Sequence, residues 1–362
     1  MTIHEDRSLK ALPPVGAGMY DRLADLSLTV DDWTLDGFER DTTSEFVRAS
    51  TVVALQGAGE TGRGEDVTYE ADDHEILQRE GLDLPTGEFA FDAFSKALDD
   101  ADLFPEPPER EVFRNYRRWA VESAALDLAL KQADTDLGSA LDRSYDPVRF
   151  VVSTRLGEPP TTDRVDELLE YDPGLELKLD PTSEWTDDLV ADLAARDRVR
   201  ILDLKGQYEG TDVDVEADPD LYERVVEGFP DAVIEDPKLT DETRPVFEGQ
   251  KRRLSWDAPI HSRADIEALP IEPDWCNIKP SRFGTIESLF SAIEYCQEQG
   301  ITMYGGGQFE LSVGREHVQA LASLCYPDSP NDVAPGGFND PDLPEGLPSS
   351  PLDPPMDPRG FC

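Results

Sequence analysis

The chain has 362 residues, enough for a barrel-sized domain plus a smaller one. Its 78 acidic and 33 basic residues give a formal net charge of −45, and the acidic residues are spread along the chain. Such a surface lacks the basic patch that nucleic-acid binding requires, and it suits anionic lipid poorly. We expect a halophilic type of surface, on which dense salt screens the repulsion among carboxylates.

The sequence predicts neither a membrane span nor a secretory leader. Its apolar runs all fall short of the roughly 20 residues that a span needs. The first ten residues, MTIHEDRSLK, lack the cationic and apolar regions of a signal peptide. The four cysteines show no C-x-x-C pair and no zinc-like spacing with the four histidines. We therefore expect a cytoplasmic protein with reduced thiols and with no membrane or nucleic-acid partner.

Residues 1–112 predict a small α+β domain. The stretches SLTVDDWTLDGFE and RASTVVALQGAGETGRGEDVTYE have the patterns of antiparallel strands. Helical patterns follow around 92–102 and 113–140, and the second of these is the expected entry helix of the next domain.

From about residue 149 a short apolar strand, a turn and an amphipathic helix alternate. The predicted strands are 149–155, 175–179, 200–205, 232–236, 254–257, 276–280, 301–306 and, more weakly, 331–335. Eight strands separated by helices predict an α/β fold, a TIM-like (β/α) barrel over 113–335 capped by the N-terminal domain. The Pro- and Gly-rich tail 336–362 is expected to be irregular, with packing on the cap as one option.

Charged residues recur at the carboxyl ends of these strands, where such barrels place catalytic groups. Three successive strands end in carboxylates, and a strand ending in lysine lies on either side. In chain order the residues are Lys178, Asp203, Glu235, Asp257 and Lys279. Three oxygen ligands on separate rigid strands suit a hard divalent cation, with magnesium (Mg²⁺) as the default. The lysines could remove and return protons if the nearby positive charge lowers their pKa.

One of these strands carries a further charge. In ILDLKGQY, Asp203 and Lys205 are two positions apart, so a strand would direct both side chains to one face. Buried opposite charges are costly unless they form a good pair or serve a function. A structural ion pair would explain an isolated D-x-K, but the recurrence of charged strand ends favours a functional one.

In the order and spacing of several short motifs, the chain resembles the enolase superfamily, most closely its muconate-lactonising and o-succinylbenzoate-synthase-like members. The resemblance covers roughly residues 25–340 and is carried by GAGETGRGEDVTYE, RRWAVESAALDLALKQADTDLGSAL, AVIEDP, LSWDAPI, NIKPSRFG and MYGGGQFELSVG. It implies an isomerase or lyase, of racemase, epimerase, cycloisomerase or dehydratase type, that removes the proton α to the carboxylate of a small substrate. The enediolate would be stabilised on magnesium, and the protein is expected to be a homo-oligomer.

The resemblance also implies a role for each residue. Asp203, Glu235 and Asp257 would be metal ligands, and Lys178 and Lys279 would be the acid/base pair on opposite faces of the substrate. Segments 36–44 and 65–69 would cover the mouth of the barrel. Arg155, at the end of the first strand, is a candidate partner for the substrate carboxylate. The other expected substrate-binding residues are Lys205, Gln308 and Glu310.

Two positions depart from the family pattern. The second strand usually carries K-x-K, but Glu176 precedes Lys178 here and should raise the pKa of Lys178. The third strand usually carries D-x-N, but here Lys205 could compete with the metal for Asp203. In one interpretation Lys205 binds the substrate carboxylate and catalysis survives. In the other, Lys205 is the counter-ion of a metal-free relative with altered or lost catalysis, which acts as a small-molecule-binding or structural protein.

Overall fold

The N-terminal domain, here called the cap, combines a small antiparallel sheet with helices. The structure is a computed structural model that describes residues 18–41, 47–208 and 215–362. The elements of the cap and its connection are β1 (Ser27–Val30), β2 (Asp32–Asp41), β3 (Val47–Gly57), β4 (Glu60–Asp66), α1 (Ala71–Glu80), β5 (Gly87–Ala90), α2 (Phe91–Ala97), α3 (Phe113–Gln132) and α4 (Leu137–Leu141). Strands β2, β3 and β4 form one antiparallel sheet, and β1 pairs with β5.

Helix α3 joins the cap to the barrel and is buried along most of its length. It lies directly on β4 because that strand has glycine where the two backbones meet. A Cβ atom added to Gly64 would come within 2.0 Å of the Ala120 carbonyl oxygen, so this packing requires glycine. The long buried helix thus fixes the cap against the barrel.

The second domain is a parallel barrel. Its elements are β6 (Val151–Thr154), α5 (Asp163–Tyr171), β7 (Glu176–Leu179), α6 (Asp187–Ala195), β8 (Val199–Asp203), α7 (Pro219–Gly228), β9 (Val233–Glu235), β10 (Leu254–Trp256), α8 (Arg263–Glu267), β11 (Trp275–Ile278), α9 (Pro280–Phe283), α10 (Ile286–Gln299), β12 (Thr302–Gly305) and α11 (Val313–Cys325). Strands β6 to β12 are neighbours in sequence order, and every pairing is parallel.

The predicted eighth strand is reduced to single bridges. Asn331 pairs with Phe150 beside β6, and Asp332 pairs with Gly306 beside β12. These two bridges link the first and last strands of the curled sheet. The predicted fold, a barrel-type α/β domain capped by an N-terminal α+β domain, is confirmed.

The C-terminal tail packs on both domains. Asp340 forms an ion pair with Arg40 of the cap at 2.7 Å, whereas Leu352 pairs with Val148 just ahead of the barrel. Phe361 is fully buried, close to the end of the chain. No helix in the described ranges is long and apolar enough to cross a membrane.

Candidate active site

Five consecutive barrel strands bring charged side chains to the carboxyl-terminal mouth. Lys178 lies within β7, while Asp203 and Glu235 are the last residues of β8 and β9. Asp257 and Lys279 directly follow β10 and β11. The three carboxylates are fully buried, and the lysines are 1% and 8% exposed. The structure therefore brings together the five residues that the strand ends predicted.

The strand that carries Asp203 is shorter than predicted. It ends at Asp203, and Lys205 has a left-handed backbone with a φ of 53°. The prediction that one strand directs Asp203 and Lys205 to the same face is therefore wrong. The ammonium of Lys205 still contacts Asp203 Oδ2, because the chain turns back on itself after the strand, and the Lys205 N–H donates to Oδ1 at 3.1 Å.

Lys178 is held by three carboxylates. Its Nζ lies 2.7 Å from Glu235 Oε1, 3.4 Å from Asp203 Oδ2 and 3.4 Å from Asp332 Oδ2. Burial by itself would lower the pKa of Lys178, but Glu235 and Asp203 outweigh it and raise that pKa well above the ordinary value. An ammonium held in this way stays charged and is a poor general base.

Glu176 does not act on Lys178 in the expected way. Its carboxylate is bound by Arg149 at 2.6 Å and by Arg200 at 2.7 Å, at the opposite end of the strand from the mouth. Burial opposes ionisation of Glu176, but hydrogen bonds from these arginines lower its pKa. The rise in the pKa of Lys178 thus has the predicted direction but a different cause.

Asp257 is shared by several donors. Its Oδ1 accepts from Arg282 at 2.9 Å, and its Oδ2 lies 2.9 Å from Lys279 Nζ and 2.7 Å from the Tyr208 hydroxyl. Burial opposes ionisation, but Arg282 and Lys279 hold the pKa of Asp257 far below its usual range. Asp257 is therefore an ionised carboxylate that is already neutralised by protein cations.

Glu235 is enclosed by donors on both sides. Its Oε1 accepts from Lys178, and its Oε2 accepts from the hydroxyl of Tyr304, which also lies 2.9 Å from Ser255 Oγ. Burial raises the pKa of Glu235 even though Lys178 opposes the rise. All six oxygens of Asp203, Glu235 and Asp257 thus accept at least one bond from a described residue.

An adjacent carboxylate completes the acidic group. One oxygen from each of Asp203, Glu235 and Asp236 lies within 4.8 Å of the other two, which is close enough to hold one metal ion. Both oxygens of Asp236 accept backbone N–H groups, from Asp257 and Ala258, at 2.8 Å each. Burial and the neighbouring Asp257 raise the pKa of Asp236 to about 7.

Three residues that bond the carboxylates, Tyr208, Arg282 and Tyr304, were not predicted from the sequence. Arg282 stands three positions after Lys279 in KPSRFG, on the short helix α9. Tyr304 is an inward-facing residue of β12. A hydroxyl group in an otherwise apolar strand was the one sequence signal for a bond to a buried polar group. Tyr208 lies in the loop after β8, and the aromatic residue closing ILDLKGQY carried no pattern that pointed to Asp257.

The other predicted substrate-binding residues lie at the edge of the site. Arg155 is exposed and pairs with Asp180 at 3.1 Å. The Gln308 side chain accepts from Tyr69 Oη at 2.6 Å and donates to Tyr116 Oη at 3.2 Å. Glu310 is buried, and its carboxylate accepts the Gln308 N–H at 2.7 Å and lies 3.0 Å from Arg315 Nη2. Their roles in substrate binding stay predictions.

The cap covers the segment that follows β12. The buried guanidinium of Arg48 donates to the carbonyl oxygens of Gln308 and Phe309, at 3.1 and 3.3 Å. Glu65 accepts the backbone N–H groups of residues 311, 312 and 314 at 2.6 to 2.9 Å. Segment 65–69 therefore reaches the mouth region as predicted, whereas residues 42–44 of the predicted segment 36–44 lie outside the described residues.

Glycine at the end of β12 allows the chain to pass close to Lys279. A Cβ atom at Gly306 would lie 2.9 Å from Lys279 Cε and 2.5 Å from Asn277 Oδ1. Any larger residue there would push the Lys279 side chain aside. Gly306, the middle residue of the triple glycine 305–307, thus helps to position the lysine.

Comparisons with known proteins place the chain in a family. Its residues 21–140 and 144–340 match the N-terminal and C-terminal domains of a family described as a domain of unknown function, DUF8230. The o-succinylbenzoate synthase of Bacillus subtilis is 27% identical over 226 residues. That alignment covers 59% of this chain and 58% of the synthase, so the chain matches less than two thirds of the length of this relative.

Solved structures with the same fold are enolase-superfamily proteins. A superfamily member from Listeria innocua has a TM-score of 0.62 and 20% identity, with 85% of this chain and 86% of that chain covered. The dipeptide epimerase of Methylococcus capsulatus, solved with a magnesium ion, has a TM-score of 0.66 and 19% identity, with 87% and 92% covered. The resemblance read from the sequence is confirmed: the chain belongs to the family DUF8230 and has the fold of the enolase superfamily.

Proposed function

We propose that this protein is an enzyme that removes the proton α to the carboxylate of a small substrate, with an isomerase or lyase outcome. The observation that carries the proposal is the order of charges around the mouth. Lys178 on β7 and the residue after β11, Lys279, flank the three carboxylates of β8 to β10. An acid/base group on either side of the substrate is the arrangement that proton removal and return require.

The contacts of the two lysines suggest different tasks. Three carboxylates hold Lys178, so it stays an ammonium that donates a proton or stabilises negative charge. Lys279 contacts Asp257, which it shares with Arg282. Because Arg282 neutralises the same carboxylate, Lys279 is the lysine more readily released toward a substrate. Lys279 is therefore our candidate for the base.

The donor set of the site suits a divalent cation chemically. Carboxylate oxygens on adjacent strand ends are the ligands that magnesium prefers, and an acidic group of suitable spacing is present. The oxygens with that spacing belong to Asp203, Glu235 and Asp236, whereas Asp257 enters the proposed ligand set as the third strand-end carboxylate. Magnesium, when bound, would be held by Asp203, Glu235 and Asp257 and would supply positive charge beside the substrate carboxylate. Because protein donors already bind all six oxygens, a cation would compete with them for these carboxylates.

A second candidate function is a metal-free relative with altered or lost catalysis that binds a small molecule. The contact between the Lys205 ammonium and Asp203 favours it, because that ammonium already neutralises a predicted metal ligand. The two candidates differ in whether a bound carboxylate exchanges its α-proton.

Deuterium exchange would test the proposed reaction. The full chain, in molar KCl with and without MgCl₂, is incubated in D₂O with a panel of small mono- and dicarboxylates and o-succinylbenzoate, and α-deuterium is measured by NMR. We expect exchange with at least one compound, and we expect Lys279→Met to abolish it. Lys251→Met is the matched control, because Lys251 is an exposed lysine paired with Glu272. Absence of exchange across the panel, or exchange that survives in Lys279→Met, would count against the proposal.

A further inference from the structure

Lys205 binds one carboxylate through two of its own groups. Its backbone N–H donates to Asp203 Oδ1 at 3.1 Å, and its ammonium contacts Oδ2. The φ of 53° allows this double contact, and a left-handed backbone is unfavourable for a lysine. A backbone of this kind persists only when its surroundings hold it. At Lys205 these surroundings include the double contact with Asp203 and a hydrogen bond from the Val215 N–H to the Lys205 carbonyl oxygen at 3.5 Å.

Further contacts fix the position of the Lys205 ammonium, but its side chain stays partly exposed to solvent. Its Nζ lies 3.7 Å from Asp180 Oδ2 and 5.3 Å from the centre of the Tyr208 ring. The Lys205 side chain is nevertheless 17% exposed, whereas that of Lys178 is 2% exposed. Lys205 is thus the ammonium on Asp203 that can leave without opening the barrel.

We infer that the Lys205 ammonium and a divalent cation compete for Asp203, so that Lys205 sets the metal affinity of the site. The inference rests on the proposed function, in which Asp203 is a metal ligand. Both cations would bind the same small carboxylate, and they repel each other at contact distance. Metal binding therefore requires the ammonium to leave Asp203.

The displaced ammonium of Lys205 could then bind the carboxylate of the substrate. Once released, it lies beside the metal at the mouth, where a substrate carboxylate would enter. A carboxylate that binds Lys205 would in turn keep it off Asp203. Metal and substrate would then favour each other's binding, because coupling between two sites is reciprocal.

The competition can be measured by calorimetric titration of the full chain with MgCl₂ alone, in molar KCl. The main variant is Lys205→Asn, because asparagine carries no charge and accepts a left-handed backbone. We expect it to bind Mg²⁺ at least tenfold more tightly than the wild type. Lys205→Arg keeps a cation at this place and should bind as weakly as the wild type, and so should the surface control Lys251→Asn.

Stability provides a second readout that needs no turnover. Loss of the Lys205 ammonium should lower the melting temperature without metal, and Mg²⁺ should restore it in Lys205→Asn but not in Lys205→Asn combined with Asp203→Asn. Equal or weaker Mg²⁺ binding by Lys205→Asn, or no binding by either protein, would overturn the inference. Tighter binding together with failed proton exchange would contradict the proposed function alone. Exchange without tighter binding would contradict the competition alone.

Discussion

Replacement of Arg117 by methionine should destabilise the cap severely. Arg117 on α3 and Asp66 at the end of β4 form an ion pair, with Nε 2.7 Å from Oδ2 and side chains 1% and 0% exposed. The guanidinium also donates to the carbonyl oxygens of Leu103 and Asp73. Burial opposes ionisation of Asp66, but Arg117 lowers its pKa below the ordinary value, so Asp66 is charged at neutral pH. Arg117→Met would leave this charge buried without its cation.

Two estimates of the cost agree. Removal of one partner from a buried ion pair costs about 3–5 kcal/mol in other proteins. Coulomb's law gives about 4 kcal/mol for unit charges about 4 Å apart at an effective dielectric constant of about 20. Because a folded domain is stable by only about 5–15 kcal/mol, the variant should lie close to the stability threshold. The loss should also reach the site, since Asp66 holds the Thr68 N–H at 3.0 Å next to Tyr69, which contacts Gln308.

Denaturant unfolding in molar KCl would measure this effect, with Arg114→Met as the matched control. Arg114 lies on the same helix, but its ion pair with Glu111 is exposed, so its loss should cost at most about 1 kcal/mol. The double variant Asp66→Asn/Arg117→Met should cost less than the sum of the single changes, because the pair is coupled. A cost below about 1 kcal/mol for Arg117→Met, or strict additivity in the double variant, would refute the reasoning.

Two further predictions concern salt and pH. The melting temperature should rise with KCl into the molar range, because the net charge of −45 creates repulsion that salt screens; a flat or falling melting temperature would contradict this. Burial lowers the pKa of His317 to about 4, so the unfolded chain binds a proton first as the pH falls below about 6.5. The contribution of neutral His317 to the free energy of unfolding is therefore complete above pH 6.5. It should fall by roughly 3 kcal/mol as the pH is lowered from 6.5 to 4. Urea unfolding of the wild type and His317→Gln should show the difference, and identical pH profiles would exclude it.

Sequence periodicity was sufficient to predict the barrel. Buried parallel strands have short apolar sequences, and the helices around them have amphipathic sequences. The alternation of the two patterns therefore predicted the architecture and the approximate strand positions. The ends of those strands also gave five of the charged residues at the mouth, because parallel strands place their carboxyl ends at one edge. The weakest predicted strand, 331–335, is the one that the structure reduces to two bridges.

The partners of the charged residues could not be predicted in the same way. Each partner depends on a loop conformation or on a contact between distant parts of the chain. The left-handed backbone of Lys205 is a loop conformation of this kind. The hydroxyl of Tyr304 meets Glu235, which lies 69 positions away in the chain. The strand pattern gives the direction of a side chain along one element, but it does not give the element opposite.

The contrast between surface and site bears on how this protein would work in salt. Surface carboxylates are separated by water, so ions screen them, and the Debye length falls to about 3 Å at 1 M salt. The pairs at the mouth are in direct contact and excluded from solvent, so the same ions barely reach them. Concentrated KCl should therefore relieve the surface repulsion while leaving the contacts of Lys178 and Lys279 intact. Lys205 is the most exposed of these ammonium groups, so bulk salt should affect its exchange for a divalent cation on Asp203 more than it affects the contacts of Lys178 and Lys279.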